Sequence, residues 1–99
     1  MSNAELLLAT QLEQAGIPFS REVLIVEGRR FRADFVTLDI VIEVEGGTWV
    51  EGRHSRGKGF EADCEKQNLA VIQGYRYLRV TPAQIEAGKA LAWIREARR

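Results

Sequence analysis

Two apolar strands within residues 31–45 (FRADFVTLDIVIEVE) carry three carboxylates: Asp34, Glu43 and Glu45. Side chains of a strand alternate between its two faces. A strand ending at Glu45 therefore puts Ile40, Ile42 and Val44 on one face and Val41, Glu43 and Glu45 on the other. In the strand before it, Phe31, Ala33 and Phe35 alternate with Arg32, Asp34 and Val36. If the two strands pair, Asp34 lies beside Glu43 and Glu45. Acids crowded on apolar, β-branched strands repel one another and lose hydration. A divalent cation relieves both costs, and Mg²⁺ commonly takes one or two carboxylates together with waters and phosphate oxygens. On the open face of an edge strand the same acids would only discourage aggregation.

The elements that must position these acids follow from pattern. Residues 4–15 form a helix with Leu8, Leu12 and Ala15 as its apolar stripe, stopped by Gly16 and Ile17-Pro18. Glu5 stands at the N-terminal end of the core-facing side of that helix. Two readings stay open for it: a further acid of the site, or the partner of Ser2 in a capping box. Ser2-Asn3-Ala4 reads as the remnant of an expression vector. Residues 21–27 (REVLIVE) make a strand, Gly28-Arg29-Arg30 a turn, and the strand from Phe31 its hairpin partner. The turn arginines Arg29 and Arg30 read as solvated charge.

After the third strand, residues 46–59 (GGTWVEGRHSRGKG) carry five glycines and no periodicity. A loop of that length is more often functional than not. It holds the densest basic cluster, Arg53, His54, Arg56 and Lys58, which suits a phosphate backbone. A helix over residues 60–73 follows, with Phe60, Cys64, Leu69, Val71 and Ile72 as its apolar side. Residues 75–80 form a strand. Thr81-Pro82-Ala83-Gln84 then starts a last helix running to about residue 97, with Ala87, Leu91 and Ile94 packed inward. Trp49 and Trp93 read as packing residues. The element order αβββαβα implies an α/β fold in three layers, α/β/α, around a small mixed sheet, with a parallel pair across the second helix.

Composition narrows the function classes. The length of 99 residues suggests a single domain over residues 1–99. Formal net charge is zero, so affinity for a polyanion must come from local clustering. One cysteine and one histidine exclude an intrachain disulfide and the common Cys/His structural zinc sites. With no signal-peptide pattern and no bilayer-length apolar run, the expected location is the cytoplasm, with no membrane partner.

Asp34 followed by Glu43-x-Glu45, a helix and a strand resembles the PD-(D/E)XK nuclease superfamily. Within it the chain is similar to small single-domain phage and bacterial endonucleases related to the very-short-patch-repair enzymes. The shared pattern is RxDF…IEVEGG…GRHxRGxGFxxDxEKxN…GYRxLRxT, and it covers roughly residues 5–82. The resemblance implies a restriction-endonuclease-like fold and a DNA endonuclease that hydrolyses phosphodiester bonds with Mg²⁺ or Mn²⁺. It implies Asp34 and Glu43 as metal ligands, Glu45 as a ligand or as the group that orients water, and Glu5 as a completing ligand. Arg53, His54, Arg56 and Lys58 would then contact DNA. The superfamily usually has lysine two residues after the glutamate; here Glu45 occupies that position. Lys66, on the following helix, stands where a migrated lysine is expected. A single active site in so small an enzyme suggests a homodimer for double-strand cleavage. The competing reading is a DNA-binding or assembly module that keeps the fold and has lost turnover.

Overall fold

The computed structural model describes residues 2–46 and 58–99. The basic-loop positions Arg53, His54 and Arg56, and Trp49 with them, lie outside the described residues. Four strands, β1 (Ser20–Leu24), β2 (Arg32–Thr37), β3 (Ile40–Val44) and β4 (Arg76–Val80), form one sheet in the order β1-β2-β3-β4. The first two pairings are antiparallel and the third is parallel. Helices α1 (Asn3–Gln14), α3 (Pro82–Glu86) and α4 (Lys89–Arg98) cover one face, and α2 (Lys58–Ile72) covers the other. The three-layer α/β/α arrangement expected from the sequence is the one observed.

Two cores hold the layers. Against α1, α3 and α4, the sheet buries Phe35, Ile40, Ile42 and Val80 on Leu8, Leu12, Ile85, Ala90 and Ile94. Against α2, a thinner core gathers Ile25, Val26, Ala33, Val41 and Ala70. Each element starts or stops for a local reason. At the end of α1, Gly16 takes φ 72 and Ile17 N–H donates to Leu12 C=O at 2.9 Å, the left-handed close that glycine permits. Thr81 caps α3 with both halves of a capping box in place.

The last helix departs from expectation. A single helix through residue 97 would bury Ala87, which is exposed. Gly88, at φ 82, breaks it into α3 and α4. That break re-phases the inward stripe to Ile85, Ala90 and Ile94. Trp93, expected to pack, is 41% exposed. The apolar side expected for α2 also differs: Phe60, Val71 and Ile72 face outward, and Ala70 is its buried residue. One helix covering a narrow strip of sheet has little core to fill, so apolar residues remain on its outer side.

The first hairpin serves both cores. In register, Arg21 lies opposite Phe35, and Val23 opposite Ala33. Phe35 belongs to the α1-side core, while Val23 and Ala33 pack on the α2 side. Residues two apart in a strand should share a face; these do not. The pleat therefore reverses at the intervening residues, Glu22 and Asp34. Glu22 has φ 53, in the left-handed region, which costs a non-glycine residue about 1–2 kcal/mol. The reversal corrects the expected grouping of Ala33 with Phe35. It lets one end of the hairpin close the α1 core and the other fold down onto α2.

Candidate active site

The pleat reversal puts Asp34 at the point where β2 and β3 part. The β2–β3 register runs through Thr37–Ile40, Val36–Val41 and Phe35–Ile42. Beyond it, the Asp34 carboxylate takes over from the backbone: Val44 N–H donates to Asp34 Oδ2 at 2.8 Å. Asp34 N–H in turn donates to Glu43 Oε2 at 3.4 Å. The two acids are thus neighbours across the parting strands.

On the α1 side, Glu5, Glu22 and Asp34 converge, each with a carboxylate oxygen within 4.8 Å of the others. Glu5 arrives from the first turn of α1. Ser2 Oγ accepts from Glu5 N–H at 3.1 Å, but the Glu5 carboxylate is turned to Arg21, whose Nη2 donates to it at 2.9 Å. Both sequence readings of Glu5 thus have a physical counterpart, one through its backbone and one through its side chain. Arg21 also lies over the Phe35 ring, 4.5 Å from its centroid, and gives Nε–H to Asp34 C=O at 3.4 Å. Sequence reasoning missed Glu22. Alternation alone sends its side chain to the other face from Arg21, and only the left-handed backbone at this residue brings it round.

On the α2 side, Lys66 Nζ lies 3.0 Å from Glu43 Oε2, and both side chains are largely buried, 17% and 16% exposed. Lys66 reaches inward one turn before the buried Ala70. Val41, Glu43 and Glu45 share this side, as their alternation requires. Glu45 does not join the converging acids. Arg79 grips both its oxygens, at 2.7 and 2.9 Å, and also donates to Gln67 at 3.2 Å. Glu43, Asp63, Lys66, Tyr77 and Arg79 line a small cavity of about 30 Å³, room for one water. Lys58 opens α2.

Burial sets the protonation of the central acids. It is the main cause that raises the Asp34 pKa above the ordinary carboxylate value; the Val44 N–H and Lys66 pull it down, and Glu22 adds to the rise. Glu43 is raised for the same first reason, against the Lys66 contact and with the Asp34 charge. Burial, then the Glu43 charge, raises Tyr77 and keeps it a neutral hydroxyl.

No protein-family model matches the chain, and no curated protein does. Among solved structures, the catalytic domain of the homing endonuclease I-Bth0305I is similar. It has a TM-score of 0.71 at 18% identity, over 97% of this chain and 92% of that one. The chain shares the fold of that domain. At that identity the likeness is one of architecture. No described helix is long and apolar enough to cross a membrane.

Proposed function

We propose that this chain is a metal-dependent DNA endonuclease that hydrolyses phosphodiester bonds. The observation that carries the reading is the convergence of Glu5, Glu22 and Asp34 at the sheet end, with the Glu43–Lys66 pair beside Asp34. Architectural likeness to an endonuclease catalytic domain supports it.

The donor set fits a hard divalent cation. Every converging ligand is a carboxylate oxygen, the type that Mg²⁺ and Mn²⁺ prefer. Among the described residues, Glu5, Glu22, Asp34 and Glu43 face Arg21 and Lys66, which leaves an excess of two negative charges. Glu5, Glu22 and Asp34 would hold the ion, with Glu43 adjoining. Such an ion, when bound, polarises a phosphoryl oxygen and lowers the pKa of the attacking water.

The chain supplies the rest. Val44 N–H fixes one oxygen of Asp34 and leaves the other for a ligand. Arg21 fixes Glu5. Lys66 provides the positive charge that the usual motif places at position 45, and it stabilises charge developing on the attacked phosphate. Glu45, held by Arg79, braces β3 against β4 beside the small cavity. Arg53, His54, Arg56 and Lys58 contact phosphates of the DNA.

The test is a plasmid-nicking assay with Mg²⁺ or Mn²⁺. Wild type should nick supercoiled DNA, and neither Asp34→Ala nor the EDTA-treated protein should. DNA binding without turnover under either metal would favour the binding-module reading instead.

A further inference from the structure

The first hairpin does not end at the acids. Past Glu22 and Asp34 it runs on through Leu24, paired in register with Arg32, to a turn at Gly28. The inner side of this distal arm is fastened. Val23, Ile25, Val26, Phe31 and Ala33 pack in the α2-side core. At the turn, Arg29 lies over the Phe31 ring at 4.4 Å and bonds Glu65 of α2 at 2.8 Å. The outer side has no such cover. Leu24 is 53% exposed, and Arg30 and Arg32 are both exposed. Arg32 gives one N–H to Glu22 C=O at 3.2 Å, and Arg30 has no partner among the described residues.

We propose that this arm is a second DNA contact, in which Arg30 and Arg32 grip the phosphate backbone on one flank of the acid cluster. The proposal rests on the nuclease reading and adds where the substrate lies. Three observations support it. First, the arm projects from the same end of the sheet as Asp34, so a backbone bound there passes the acids. Second, its spacing fits. At about 3.3 Å per strand residue, Arg32 lies roughly 7 Å and Arg30 at most roughly 13 Å beyond Asp34. Phosphates of one duplex strand advance about 3.4 Å along the axis each, so the arm spans a few nucleotides next to the site. Third, the arm is already ordered by its α2 core, so little freedom is lost on binding. Residues 24–32 carry three arginines against Glu27. With Arg29 committed to Glu65, two cations remain for DNA.

The experiment measures binding of a short fluorescein-labelled duplex by anisotropy across salt concentrations, with EDTA present so that no cleavage occurs. Removing one cation that neutralises a phosphate should flatten the slope of log K against log[salt] by about 0.9. Arg30→Ala with Arg32→Ala should therefore flatten it by about 1.8. Arg30→Ala alone, at a residue with no described partner to disturb, should flatten it by about 0.9. Arg95→Ala, an exposed arginine of α4, should leave it unchanged. Lysine at both arm positions should restore the slope. Binding with an unchanged slope in both alanine variants overturns the arm while leaving the nuclease reading intact. Wild type that binds no duplex at low salt overturns both.

Discussion

The two sides of Asp34 handle charge in opposite ways. On the α2 side each strand acid has its own cation, Glu43 with Lys66 and Glu45 with Arg79. On the α1 side Glu5, Glu22 and Asp34 crowd together with Arg21 among them. The α2 side is a set of satisfied ion pairs that holds geometry. Among the described residues, the α1 side carries an excess of negative charge, which is what a cation site requires. The acids most visible in sequence, the Glu-x-Glu pair, fall on the balanced side.

The largest expected effect tests that asymmetry directly. In a calorimetric titration with Mn²⁺, Asp34→Asn should abolish measurable heat, and Glu22→Gln should come close to doing so. Glu43→Gln, acting from beside the ligand set, should weaken binding by about 10–100-fold. A larger loss from Glu43→Gln than from Glu22→Gln would move the metal to the α2 side and break the comparison.

Next comes Lys66. Removing it leaves Glu43 buried without its partner and the site without its α2-side cation. Lys66→Ala should lower kcat on the order of 10²–10³-fold with much less change in DNA affinity. Lys66→Arg should rescue only in part, because the guanidinium is planar and bulkier. Arg79→Ala should cost far less, since the Glu45–Arg79 pair is nearly two-fifths exposed and exposed pairs contribute little. Equal losses in Lys66→Ala and Arg79→Ala would mean that the α2 side acts only as a brace.

A smaller effect separates the role of Glu22 from its cost. At φ 53 glycine is at ease, and alanine is as strained as glutamate. In urea unfolding, Glu22→Gly should be more stable than Glu22→Ala by about 1 kcal/mol. Both should lose Mn²⁺ affinity. Equal stabilities would remove strain from the account of the pleat reversal.

The smallest effect is pH dependence of the metal-free protein. Asp34 and Glu43 have raised folded pKa values, chiefly from burial. The folded state then binds more protons than the unfolded chain between the unfolded and folded pKa values, so stability falls as pH rises through that window. Thermal melts in EDTA should show Tm rising as pH drops from neutral toward the ordinary carboxylate range. Asp34→Asn should reduce that rise and stabilise the metal-free protein at neutral pH. An unchanged profile would show that burial does not govern the protonation of Asp34.

Much of this architecture was legible beforehand because it rests on local rules. Leu8 and Leu12, the Gly16 stop, the Thr81–Gln84 box and the apolar alternation of β3 each encode their element within a few residues. Asp34, Glu43 and their mutual proximity follow from strand period and hairpin pairing. Lys66 was reachable by counting turns along α2. Gly88 was read through as part of one helix, because glycine alone does not say whether a helix bends, ends or continues.

What the sequence by itself determined is the four strands, helices α1 and α2, and the meeting of Asp34 with Glu43: alternation and capping are properties of adjacent residues. What only the tertiary structure decided is which side of Asp34 is short of positive charge among the described residues. That depends on the hairpin changing cores at Glu22, on Arg79 reaching Glu45 from a neighbouring strand, and on α1 delivering Glu5. Each is a contact between segments far apart in the chain, selected because the alternative leaves apolar surface in water or a buried carboxylate without a partner. No local pattern records that choice.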